Sequence, residues 1–184
     1  MAKKNTVVFL FIMILLGSLG WASCEPKEPE CYQPVNVTLI SGFVGRDTVR
    51  IVDSATNTDT FQLQYTPRRL LSPGMYALDV DSLYSVIGSA NGEDRLSVPL
   101  NPRSDSMRYR FLADTSRKAA ADTLTFYYTS SVHFISNDCG YTNYYQLDSV
   151  HTTKNVVDSI ALVNNAVTNN QTNQARHVQL YFFD

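Results

Sequence analysis

No catalytic motif occurs in this chain. G-x-S-x-G, S-x-x-K, the phosphate-binding loop and G-x-G-x-x-G are all missing. Serines and aspartates are frequent enough that a Ser/His/Asp set could be assembled from any stretch, so their presence carries no information. Histidine is scarce. His133, His151 and His177 stand far apart, and no C-x-x-C or H-x-x-x-H spacing accompanies them, which excludes the usual zinc patterns. Charge is sparse too, with 15 basic against 17 acidic side chains and no basic stripe, which speaks against nucleic acid as a partner. The longest apolar run, residues 7–16, is ten residues, short of the roughly 20 needed to cross a bilayer as a helix. Neither a βαβ pattern nor a Gly/Ser linker interrupts the later chain, so one domain is expected. These absences lead to a protein read as non-enzymatic, with no cofactor and no metal.

What is present begins with a leader. Lys3 and Lys4 precede the apolar run, and small residues follow it, the order of a secretory signal peptide. A retained single-pass anchor is the rival reading. Ala22-Ser23-Cys24 resembles the lipobox of bacterial lipoproteins, with Trp21 where an aliphatic residue usually stands. The preferred division is a lipoprotein signal over 1–23, lipidation at Cys24, a tether over 24–33 and a domain over 34–184. The alternative is ordinary cleavage after Ala22. The segment E-P-K-E-P-E after Cys24 is charged and proline-rich, and cannot bury a core. Loss of Lys3 and Lys4 with the leader leaves 13 basic against 17 acidic side chains, a mature balance of −4. The expected location is the outer membrane, lipid-anchored and facing either the periplasm or the cell surface.

If Cys24 carries lipid, Cys31 and Cys139 remain as an even pair in an oxidising compartment, where a disulfide is the expected state. Closing a loop of about 108 residues would contribute roughly 4 to 5 kcal/mol in the chain-entropy picture.

The pattern from residue 34 onward is period-2 alternation, which marks strands with one buried face. The central stretch, 122–147, places Leu124, Phe126, Tyr128, Ser130, Val132 and Phe134 on one parity, with a bulge expected near 129–131. Asn137-Asp138-Cys139-Gly140 is a turn, and a second aromatic strand follows over 141–147. Before this hairpin the sequence predicts a strand over 35–40 and a turn over 42–46. Strands over 47–52 and 60–66 follow, with Val49, Ile51, Phe61, Leu63 and Tyr65 facing inward. Arg68 and Arg69 then fall in a solvated loop. Weaker strands are read over 75–80 and 83–87, then a turn at Asn91-Gly92. Strands over 95–100, ending at or near an edge because of Pro99, and 107–111 come next. The alanines of 114–121 suit one helical turn. Val156, Ile160, Val163 and Val167 fit helical spacing, but the β-branched load of Val156, Val157, Ile160 and Val163 favours a strand over 155–164. Residues 164–174 read as a polar hairpin loop, and 175–183 as a last strand with His177, Gln179 and Tyr181 on its polar side. Short strands separated by turns predict an all-β protein, a single-domain antiparallel β-sandwich.

Three tyrosines in that second aromatic strand, Tyr141, Tyr144 and Tyr145, form a possible ligand surface for sugars, although aromatic residues in strands more often pack into the core. Asp79 and Asp81 could serve as paired carboxylates, and His133 as a base or ligand; a solvated turn and a surface histidine are the plainer readings.

The lipobox, the early cysteine, F-I-S-N-D-C-G-Y over 134–141, N-V-V-D-S-I and the closing H-V-Q-L-Y-F resemble an uncharacterised lipoprotein family of the Bacteroidetes. The resemblance implies a location at the cell envelope and no assigned activity. Glu25, Glu28 and Glu30 are similar to surface-export signals of that phylum, interrupted here by proline and lysine. The expected partners are the membrane, through the lipid, and an unknown envelope protein or glycan.

Overall fold

Residue alternation becomes two packed sheets in the computed structural model, which describes residues 31, 36–53, 58–116, 120–169 and 176–183. Cys31–Asp184 forms one compact unit. In chain order the strands are β1 (Thr38–Asp53), β2 (Thr58–Pro67), β3 (Gly74–Ala77), β4 (Val86–Ile87), β5 (Arg95–Pro99) and β6 (Ser106–Leu112). After them come β7 (Asp122–Ser136), β8 (Gly140–Thr152), β9 (Ser159–Leu162), β10 (Ala166–Val167) and β11 (Val178–Phe183). A 3-10 turn, Ser82–Tyr84, separates β3 from β4. The protein is an all-β sandwich, as the alternation predicts.

One sheet has the order β2-β1-β11-β9, with β5 on the early part of β1; the other runs β10-β8-β7-β6-β3-β4. Every pairing is antiparallel except β1 with β11, which lie parallel from Ser41 beside Val178 to Arg46 beside Phe183. A parallel pair needs a long crossover. Here nearly the whole chain supplies it, because the first strand and the last are the two that meet.

The core lies between the sheets. Phe43 and Phe182 from the first sheet meet Phe111 from the second, with ring centroids 5.8 to 6.2 Å apart. Leu39, Val98, Val178 and Leu180 pack there against Met75, Met107, Leu124, Phe126 and Leu147. On β6, Met107, Tyr109 and Phe111 are buried as expected, as are Leu96, Val98 and Leu100 around β5. Gly92 has a φ of 91°, which accounts for the turn that Asn91-Gly92 marks.

Several expectations are corrected. Residues 42–46 do not turn: β1 runs through them without interruption. Gly42 is needed there for space, since a Cβ on it would lie 2.3 Å from Cδ of Arg176, whose side chain crosses the strand. Past Arg46, β1 leaves β11 and continues with β2 alone. Val49, Ile51, Phe61, Leu63 and Tyr65 are therefore exposed and not inward-facing, Phe61 at 69%. Among the described residues, no sheet lies across from this two-stranded arm to bury them.

The same cause divides β7. Leu124, Phe126 and Tyr128 are buried, whereas Ser130, Val132 and Phe134, of the same parity, are exposed. The hairpin of β7 and β8 extends beyond the edge of the sandwich. Its register shifts twice, between Tyr127 and Tyr128 and between Phe134 and Ser136, on either side of the expected 129–131.

The expected strand over 83–87 is the 3-10 turn followed by the two residues of β4, and that over 75–80 is shortened to β3. The strand over 155–164 contracts to β9, and β10 interrupts the expected loop after it. Of the arginine pair, Arg69 is exposed as expected while donating to the carbonyl of Gly92 at 3.0 Å, and Arg68 is half-buried with its guanidinium over the ring of Phe182. His177, expected on the polar side of the last strand, is buried. The leader, Cys24 and part of the alanine run lie outside the described residues.

Parity alone does not set burial in β7, and two substitutions separate the factors. Phe126→Asp should cost several kcal/mol, because a charge would be forced into the core. Val132→Asp, on the same parity but 73% exposed, should change stability by about 0.5 kcal/mol or less. Chemical denaturation of both variants checks this; equal losses would place the outer half of β7 in a buried environment.

Candidate binding groove

Pro99 ends β5, and the chain continues through Leu100 and Asn101 to Pro102 outside any ladder. Two prolines in four residues remove two backbone donors, and the carbonyls of this segment need partners from elsewhere. Hydroxyls of the opposite sheet supply them in sequence. Tyr109 of β6 donates to the Pro99 carbonyl, Tyr145 of β8 to Leu100 at 3.0 Å, and Tyr128 of β7 to Asn101 at 2.9 Å. Ser130 Oγ donates to Pro102 at 2.9 Å. Tyr128 and Tyr145 also meet edge to face at 5.5 Å. Burial pushes the Tyr145 phenol up to about 12 and holds those of Tyr109 and Tyr128 well above the ordinary phenol range. All three stay protonated at neutral pH, so each acts as a fixed donor and not as a base.

Pro99 and Leu100 of this segment border a groove of about 610 Å³. Asn36, Val37 and Thr38 border it where β1 begins, Ser97 and Pro99 come from β5, and Leu83, Tyr84 and Val86 from the 3-10 turn and β4. Thr142, Asn143 and Tyr145 of β8 complete the lining. No side chain in that set is charged at neutral pH. The surface combines amides and hydroxyls with aromatic and aliphatic faces, which suits a neutral polar ligand. Its size falls in the range of small-ligand sites, roughly 300 to 1,000 Å³.

The tyrosines singled out from the sequence do not share one surface. Tyr145 is buried beneath the groove. Tyr144 points the other way, stacks on His133 with centroids 4.1 Å apart and donates to Asn169. Tyr141 is exposed near the hairpin tip, packed against Phe134 at 5.1 Å. The disulfide between Cys31 and Cys139 is present, with α-carbons 4.8 Å apart, and ties the start of the domain to that tip. Asp79 and Asp81 do not act as a pair: Asp79 holds Arg108 through a two-oxygen contact at 3.0 and 3.2 Å, and Asp81 accepts from Ser82. The Arg108 hydrogen bond keeps the Asp79 carboxyl below its usual range. Among the described residues, no three His, Cys, Asp or Glu side chains gather as metal ligands.

The buried titratable groups hold backbone. Asp122 accepts from the Thr153 hydroxyl and from the amides of Asn155, Val156 and Val157, all at 2.6 to 2.7 Å. Burial pushes its carboxyl up, and these donors together outweigh burial and hold it below the ordinary value. His177 Nδ1 accepts from the Ile40 amide at 2.9 Å, while its own amide donates to the Ile40 carbonyl. Burial lowers its pKa against the opposing effect of a hydrogen bond to the Ala166 backbone, so the imidazole is held neutral.

Of the groove residues, the sequence alone marks only Tyr145 as a candidate. Asn36, Thr38, Ser97, Thr142 and Asn143 come from segments far apart in the chain and carry no local spacing that links them.

The chain belongs to a family of unknown function (DUF6452), whose model matches residues 74–182. No curated protein and no solved structure matches it. The matched segment includes β3 through most of β11, hence the whole second sheet and the three phenols.

Asp122 sets a pH dependence with a defined sign. Its folded pKa lies below the unfolded value near 3.8, so its contribution is complete above that value and is lost as pH falls toward the folded pKa. Asp122→Asn would aim an amide donor at other donors. That variant should lose about 3 kcal/mol or more at pH 7, and the gap to the parent should narrow below pH 3.8. Urea denaturation at pH 7 and pH 3 measures both; a gap independent of pH would exclude the ionised carboxylate as the cause.

Proposed function

We propose, for a chain whose family has no assigned activity, that this is a non-catalytic binding domain of a bacterial envelope lipoprotein. It is held at the outer membrane by lipid on Cys24, and the family is one of Bacteroidetes lipoproteins that share an F-I-S-x-x-C-G-Y motif. The anchor rests on the residues themselves: Lys3 and Lys4, the apolar run over 7–16, Ala22-Ser23-Cys24 and the proline-rich tether. Acyl chains contribute about 0.8 kcal/mol for each buried methylene, so several together hold a protein at a membrane. The observation that carries the binding role is the neutral groove between the sheets, lined by amides, hydroxyls and tyrosine. The Asp122 carboxylate and the buried His177 imidazole already hold backbone, which supports binding over acid/base chemistry.

The second reading is a glycan-binding accessory module. The groove lining favours it, because amides and hydroxyls recognise sugar hydroxyls while an aromatic face packs on the ring, and Tyr84 and Asn143 both border that space. The alternative occupant is a segment of an envelope protein.

Cys24→Ala should abolish incorporation of a fatty-acid probe in cells and release the protein from the membrane fraction. Equal labelling of variant and parent would overturn the anchor. For the groove, Asn143→Ala should weaken capture of the native ligand at least tenfold with the fold unchanged, read by a glycan array and by pulldown from envelope extracts. Retention on an array points to the glycan reading, and retention of an envelope protein to the first. Undiminished capture by the variant would remove the groove from either reading.

A further inference from the structure

The outer arm of the first sheet ends in a strand with one neighbour. Among the described residues, β2 pairs only with β1, register unbroken from Val44 beside Pro67 to Asp53 beside Thr58. Its other edge presents a row of backbone donors and acceptors. Exposed edges of this length usually carry a lysine, an internal proline or a bulge that blocks pairing with another chain. Between Thr60 and Thr66, β2 has none of these, and Phe61, Leu63 and Tyr65 are all more than half exposed.

The occupant is written in the strand itself. Residues 60–66 read T-F-Q-L-Q-Y-T, a palindrome about Leu63 in which phenylalanine and tyrosine are counterparts. An antiparallel pairing of β2 with a second β2, centred on Leu63, sets each residue opposite its own kind. Thr60 faces Thr66, Phe61 faces Tyr65, Gln62 faces Gln64, and Leu63 faces Leu63. Aromatic pairs and threonine pairs are among the favourable cross-strand combinations. No like charges oppose each other, since residues 60–66 carry no charge. Asp59 would come opposite Pro67 and next to Arg68 of the other copy. Pro67 limits the pairing, because it has no amide to donate, and the Arg68 amide is already given to the Phe43 carbonyl.

We propose that two copies of this chain associate through β2, antiparallel about a two-fold axis at Leu63, joining their first sheets into one continuous sheet. The interface is isologous, as two-fold homodimers require. Phe61, Leu63 and Tyr65 of both copies line one face of the joint, where Tyr65 already meets Tyr181 edge to face at 5.7 Å. Arg46, over the ring of Phe183, borders the same face. The inference is independent of the groove and of the lipid anchor.

The full-length protein tests it. Residues facing each other across an antiparallel pair have α-carbons about 4.5 or 5.5 Å apart, within reach of a disulfide. Leu63→Cys should therefore form a covalent homodimer on mild oxidation. Gln62→Cys, diagonal to its counterpart, should cross-link at least fivefold less, and the parent chain shows any contribution from Cys24. As a second measurement, Leu63→Lys would place two like charges on the axis and should shift the sedimenting species from dimer to monomer with unchanged circular dichroism. A parent that sediments as a monomer overturns the proposal. So do equal cross-linking at 62 and 63, no cross-link at 63 with the Cys31–Cys139 bond intact, and an adduct with a different protein.

Discussion

Three phenol hydroxyls and one proline-flanked run of carbonyls connect the two sheets. Tyr109, Tyr128 and Tyr145 stand on three adjacent strands, and each reaches across the core to the segment that leaves β5. A buried carbonyl without a donor would cost on the order of 1 to 3 kcal/mol, and a buried phenol without an acceptor a similar amount. Each group solves the other's problem. The apolar core can then close around Phe43, Phe111 and Phe182 with the phenols and this run of carbonyls satisfied. Pro99 and Leu100 of the same segment line the groove.

A similar economy governs the buried Asp122 and His177. Asp122 holds residues 155–157 by their amides, so the chain can leave β8 and enter β9 without a ladder between them. His177 joins Ile40 through both a side-chain and a backbone hydrogen bond just before β1 and β11 run parallel. The disulfide from Cys31 adds a covalent tie at the hairpin tip. These three devices brace the places where the chain changes sheet or leaves one.

Two hairpins extend past the sandwich, and they differ in what they carry. The tip of β7 and β8 is tied by a disulfide and packed upon itself through Phe134 with Tyr141 and His133 with Tyr144. The β1–β2 arm has an ion pair between Arg50 and Asp59 and a hydrogen bond from Thr66 to Asp47, but its aromatic column faces outward without a cover. An arm of two strands is marginal alone in water. The β1–β2 arm of a second copy would give it the third and fourth strands.

The sequence by itself determined the strand periods, the turns at Asn91-Gly92 and at 137–140, the all-β class and the pairing of Cys31 with Cys139. The first three are local properties, since side chains alternate across a pleat and Gly and Asn accept left-handed backbone, whereas the cysteine pairing, across 108 residues, was expected only from the even pair that lipid on Cys24 would leave. Tertiary structure decided which alternating faces are covered. Phe126 and Val132 share parity, yet one is in the core and the other in solvent, because burial needs a second sheet opposite and period 2 does not encode where that sheet ends. Phe61, Leu63 and Tyr65 read as core for the same reason. Gly42 and Gly45 read as a turn because their freedom is local, whereas the Arg176 side chain that crosses Gly42 comes from the far end of the chain. The groove was illegible except for Tyr145. Its wall is assembled from Thr38, Ser97, Thr142 and Asn143, ordinary residues singly, which share a surface only once the first strand, the fifth and the eighth have been brought together.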